Sequence, residues 1–130
     1  MSKKKAPSMD AWLKEAKAQP GAGECGMFLF HNGVVRQTAR AQVRDGVASA
    51  PVRGMLFSAD ADRAELARQA ALKMEGIRYA RVWLNEGELS VGDDIMLVLL
   101  GGDTRPHVVD ALQFLVGELK GKCVRETETY

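Results

Sequence analysis

Cysteine and histidine are scarce in this chain, with two of each (Cys25, Cys123, His31 and His107), and net charge is nearly absent. Without a CxxC pair or a secretory leader, both cysteines read as reduced thiols. Neither histidine stands at ligand spacing from them, so no metal is expected. The formal charge of +1, from 18 basic and 17 acidic residues, leaves no one-signed field to hold a nucleic-acid backbone or an anionic membrane. No run approaches the ~20 apolar residues of a membrane span, and MSKKKAPSMD leads into no signal-peptide core. These absences predict a cytoplasmic protein without nucleic-acid or membrane partners, in which charge acts locally.

The 130 residues are 46% hydrophobic, enough for one core without disulfide or metal staples. Residues 1–8 are polar with nothing to bury and are expected to be a disordered arm, leaving 9–130 as a single domain. Met9, Trp12, Leu13 and Ala16 recur at helical spacing up to Pro20-Gly21. CGMFLFHNGVV (25–35) is apolar on both faces, as a strand covered on both sides would be. Its Asn32-Gly33 could instead turn a hairpin. The polar stretch 37–51, with Asp45-Gly46, reads as a loop or exposed hairpin carrying Arg40 and Arg44.

VRGMLFSA (52–59) reads as a strand returning to the core, and Asp60 is placed to cap a helix with an apolar stripe of Leu66, Ala67, Ala70, Ala71 and Met74. Arg63, Arg68 and Lys73 then face water, and Gly76 ends the helix. RYARVWLN alternates as a half-exposed strand and DIMLVLLG is a central one, with EGELSVGDD as the turn between them. In the last helix Val108, Leu112, Leu115 and Leu119 share a face, with Asp103 or Thr104 as N-cap and Pro106 in the first turn. KCVRETE can complete the sheet. The class is α+β, helices packed on a sheet.

The segment GGDTRPHVV places Arg105 at a helix N-terminus, where free N–H groups, the helix dipole and a guanidinium favour an anion. The plainer account is an Asp103 cap with Arg105 in solvent. Lys120, Lys122 and Arg125 form a second basic group; Lys120 either complements the helix dipole or, if desolvated, serves as nucleophile or proton carrier. Arg36 closes the first strand. His31, inside an apolar run, reads as a satisfied core histidine.

CGMFLFHNGVVR, EGELSVGDDIMLVLL and TRPHVVDALQFLVGELK together resemble, in order and spacing, the blocks of the large subunit of molybdopterin synthase, from about Met9 to Glu126. The specific elements are Gly33 three residues before Arg36, the GEL-x-x-GD turn, and Arg105 opening a helix that ends in Leu-Lys. The resemblance implies an α/β hammerhead-like core with an additional antiparallel β subdomain, a homodimer, and a sulfurtransferase role in molybdenum cofactor synthesis. A small ubiquitin-like sulfur-carrier subunit would deliver its C-terminal Gly-Gly thiocarboxylate, and the sulfur would pass to cyclic pyranopterin monophosphate without a cofactor.

Carried onto this chain, the resemblance makes Lys120 the catalytic lysine and Arg36, Arg105, Thr104, Lys122 and Arg125 the substrate-binding set. Thr104-Arg105 and Leu84-Asn85 stand where the family usually has His-Arg, and its second lysine falls on Val124 unless a shortened loop lets Lys122 or Arg125 substitute. Those departures define the alternative, a noncatalytic paralogue that binds a Gly-Gly tail or an anionic metabolite.

Overall fold

The computed structural model describes residues 4–130; of the arm expected over 1–8, residues 1–3 lie outside the described residues. Over 4–8 the chain is irregular, and Lys4 exchanges hydrogen bonds with the Asn85 side chain. Asn85 is buried and also donates to the Asp94 carbonyl, so the residue at one of the family departures is a structural tie.

Two three-stranded antiparallel sheets stand where the sequence suggested one. The first has the order β1 (Met27–Val34), β5 (Asp94–Gly102), β3 (Ile77–Leu84); the second has β4 (Gly87–Ser90), β2 (Gly54–Ala59), β6 (Val124–Thr129). β6 therefore completes a separate sheet, and the segment read as a turn after β3 contributes β4. Strand assignment by period 2 cannot say which strands pair, because pairing is set by contacts far apart in sequence.

β5 is buried on both faces. Met96, Val98 and Leu100 meet α3 (Ala61–Leu72) and α4 (Arg105–Glu118), while Leu97 and Leu99 meet α1 (Met9–Lys17) through Trp12 and Ala16. Each such side chain contributes about 1.5–3 kcal/mol by leaving water, which makes β5 the energetic centre of the domain. Three alanines, Ala64, Ala67 and Ala71, let α3 sit close to this layer. Leu66, counted in the α3 stripe, is instead 66% exposed. Arg68 turns inward enough to donate to the Ala80 carbonyl while paired with Glu65, whose carboxyl this pairing pulls down to about 2.

β1 runs straight through Asn32-Gly33. Asn32 pairs with Leu97 and its side-chain amide donates to the Met96 carbonyl, so pairing with β5 overrides the local turn preference. The stretch expected as loop or hairpin holds a short helix, α2 (Arg40–Asp45), ended by Gly46 at φ 68°. Here Asp45-Gly46 is a helix terminus, a use of left-handed glycine as common as the hairpin. After α4 the chain makes a π-helical turn, Leu119–Cys123, before entering β6. Cys123 is buried, Cys25 is half-buried, and both thiols are free.

Candidate functional site

A cavity of about 220 Å³ opens where the end of β1, the π-helical turn and β6 come together. Four cations, Arg36, Arg40, Arg44 and Lys120, and two carboxylates, Glu126 and Glu128, form its charged walls. Val34, Val43, Met55 and Ile95 supply the apolar surface. Arg36 and Lys120 are thus brought together from positions 84 residues apart. Leu119 and Cys123, both buried, anchor the turn that presents Lys120.

Lys120 Nζ lies 3.9 Å from Glu126 Oε1, an ion pair too long to be a hydrogen bond. Glu126 Oε1 is sealed from solvent with no hydrogen-bond partner, and the same holds for His31 Nε2. Burial lowers the His31 pKa, and the Lys120 charge lowers it further, which keeps the imidazole neutral near pH 7. The sequence reads His31 as a satisfied core histidine; it is only half-buried, and its sealed Nε2 has no hydrogen-bond partner. Its folded pKa is depressed, so its neutral burial contributes stability that is present above pH ~6.5 and lost as the pH falls through the folded value.

The other residues of the expected set lie elsewhere in the chain. Arg105 and Thr104 are exposed at the N-terminal end of α4, and fourteen residues of helix, about 21 Å of rise, separate that end from the turn holding Lys120. A single pocket holding Arg36, Arg105 and Lys120 therefore does not form within one chain. Lys122 pairs with Glu118 at 3.0 Å and lines a different cavity with Arg63, Leu66 and Cys123. Arg125 points to the opposite face of β6 from Glu126, beside Leu56 and Glu88, because successive strand residues alternate.

At the N-terminus of α4 the chain provides its own anion. Asp103 Oδ1 accepts from the Thr104 amide at 2.6 Å and from His107 Nδ1 at 2.8 Å, and His107 Nε2 lies 3.5 Å from Glu75. Gly76, at φ 81°, passes so close that a Cβ there would strike the Asp103 carboxylate. The hydrogen bond to Asp103 raises the His107 pKa and lowers that of Asp103. A raised histidine pKa means this pairing stabilises the fold below pH ~6.5 and is lost as the pH rises through the folded value. The difference in thermal midpoint between wild type and His107→Gln is expected to shrink from pH 6 to pH 8.5; a difference that is constant across that range would disprove the assignment.

Arg40, Arg44, Glu126 and Glu128 were not singled out from sequence as site residues. A signal existed: Arg36, Arg40 and Arg44 recur every fourth residue, the spacing of one helical face. The hairpin reading of the Asp45-Gly46 pair concealed it. Among the described residues, no group of histidine, cysteine and carboxylate side chains could hold a metal ion, and no helix is long and apolar enough to cross a membrane.

Fold and cavity together define an α+β domain with a cationic pocket at the junction of two sheets. The chain belongs to the MoaE protein family, whose model matches residues 3–122. Membership places it in molybdenum cofactor biosynthesis. No curated protein matches it in sequence at a significant level.

Its fold is shared with the molybdopterin biosynthesis MoaE protein of Burkholderia ambifaria (17% identity, 96% of this chain and 81% of that one, TM-score 0.71). Molybdopterin synthase from Staphylococcus aureus is also similar (13% identity, 82% and 76%, TM-score 0.67). So is the protein–protein complex of subunits 1 and 2 of molybdopterin-converting factor from Helicobacter pylori (16% identity, 92% and 74%, TM-score 0.65).

Proposed function

We propose that this chain is the large subunit of a molybdopterin synthase, moving sulfur from the C-terminal thiocarboxylate of a small ubiquitin-like subunit to cyclic pyranopterin monophosphate. The observation that carries this reading is the convergence of Arg36 and Lys120 on one cavity in a member of the MoaE family. A thiocarboxylate and a cyclic phosphate are both anions, and a preorganised set of cations stabilises them and the charge that develops at the acyl oxygen. Lys120 is the group placed to engage the acyl carbon of the tail, with Arg36 holding the anion beside it. Because α4 separates Arg105 and Thr104 from Lys120, those two residues reach this cavity only from a second copy of the chain, so a homodimer is part of the proposal. Lys122 and Arg125, which face other cavities, lie outside this site. The small-subunit partner is supported by the two-subunit complex of the Helicobacter pylori relative.

Mixing the protein with thiocarboxylated small subunit and the cyclic precursor is expected to yield molybdopterin, measured as its fluorescent oxidation product. No product at high enzyme concentration sinks the proposal.

One observation favours a second reading. Val124, at the place of the family's second lysine, packs against the core, and Lys122 is committed to Glu118, so Lys120 is the only lysine lining the cavity among the described residues. A noncatalytic paralogue would bind a Gly-Gly tail or an anionic metabolite without turnover. Calorimetric binding of the tail with no product formed would select it.

A further inference from the structure

We infer that Arg40 and Arg44, on α2, complete an anion site with Arg36 and Lys120, and that this site takes a phosphate group. The inference deepens the function proposed above by assigning the phosphate of the substrate to residues outside the set expected from sequence.

The first support is unbalanced charge. Among the described residues, none of the three arginine side chains forms an ion pair with a carboxylate; the Arg36 Nε–H donates to the Thr38 carbonyl at 3.0 Å. Of the two carboxylates in the cavity, Glu128 is engaged by the Arg40 backbone amide, at 3.0 and 3.3 Å to its two oxygens, and by the Tyr130 hydroxyl. Glu126 is the neighbour of Lys120. Three guanidiniums that repel one another across a small cavity are relieved by an anion between them.

The second support is the way α2 is built. Residues 40–51 are all exposed, so α2 is not there to fill a core. The segment leaves the body at Ala39 and returns at Val52, both buried, and its base is closed by the Val52 amide donating to the Gln37 carbonyl at 2.7 Å. Glu128 then binds the start of α2, so that the last strand of the domain holds Arg40 and Arg44 over the cavity.

Phosphate is favoured over carboxylate by shape. Arg36 comes from the end of β1, Lys120 from the π-helical turn, and Arg40 and Arg44 from α2, so donors approach from three sides. A tetrahedral phosphate offers acceptor oxygens in those directions, whereas a carboxylate offers two in one plane.

The test is a titration of the full chain with inorganic phosphate at 0.15 M ionic strength, where fields from distant surface charges are screened. It is followed by the arginine Nε–H signals in NMR. Saturable shifts are expected at Arg36, Arg40 and Arg44. The double variant Arg40→Ala/Arg44→Ala is expected to bind phosphate about tenfold or more weakly, while a peptide ending in Gly-Gly binds within twofold of wild type. Arg40→Lys/Arg44→Lys, which keeps the charge and loses the fork, falls between, and Arg78→Ala, whose side chain pairs with Glu24 and does not line this cavity, has no effect.

Non-saturating shifts, an unchanged phosphate affinity in the double variant, or an equal loss in Arg78→Ala would overturn the inference. Equal losses for phosphate and peptide would overturn the assignment to phosphate. The outcome is separable from the proposed function: a phosphate site that passes this test in a chain that makes no molybdopterin leaves the site standing and removes only the synthase.

Discussion

Lys120→Ala is expected to reduce molybdopterin formation on the order of a thousandfold while leaving the fold unchanged, the range over which a positioned proton-transferring or covalent group acts. The fold survives because the Lys120 side chain is 41% exposed and its one ion pair, to Glu126, is long. The activity falls because no other lysine lines the cavity among the described residues. Lys120→Arg separates two roles. An arginine keeps the positive charge but, with a pKa above ~12, supplies no neutral amine. If Lys120 acts through its amine, both variants are inactive. If it acts by charge alone, arginine restores much of the rate. Single-turnover product formation with the thiocarboxylated small subunit reads this directly, and an alanine variant within a few-fold of wild type removes Lys120 from the mechanism.

Leu119→Ala is expected to cost about 2–5 kcal/mol of stability, the range for deleting most of a buried leucine and leaving a cavity. In a domain of this size that lowers the thermal midpoint by on the order of 10 °C. Leu119 is completely buried and belongs to the same core as Val98, Leu100 and Leu115. It also begins the π-helical turn, so its side chain fixes the backbone from which Lys120 projects. The variant is therefore expected to lose synthase activity as well as stability, including at temperatures where it remains folded. Thermal unfolding by circular dichroism, with activity measured well below the midpoint, distinguishes the two losses. A midpoint within 2 °C of wild type would show that the turn is not held by this residue.

The elements whose signals are local were legible. The apolar run of β5, the capped helix after Asp60, with its carboxylate accepting the Arg63 amide, and the α4 stripe through Val108, Leu115 and Leu119 stand where period and caps placed them. The readings that failed depended on a distant partner. Asn32-Gly33 carries a turn signal that β5 overrides, and Leu66 sits on the periodic face of α3 yet has nothing packed over it. Asp45-Gly46 serves a hairpin or a helix end equally well, and the start of the helix is held by the Glu128 carboxylate, 88 residues from Arg40. The site divides in the same way. Resemblance in the sequence identified Arg36 and Lys120, but the length of α4 removes Arg105 from their company, and the alternation of β6 turns Arg125 away.

The scarcity of cysteine, histidine and net charge, the helical and strand periods, and the three sequence blocks that mark the family were determined by the sequence alone. Those properties depend on residue type and spacing of a few positions, which a linear chain already contains. The division into two sheets, the approach of Arg40 and Arg44 to Lys120, and the burial of His31 Nε2 and Glu126 Oε1 without a hydrogen bond were decided only by tertiary structure. Each of these depends on which distant segments pack together, and that choice is made by the burial of the whole core rather than by any local preference.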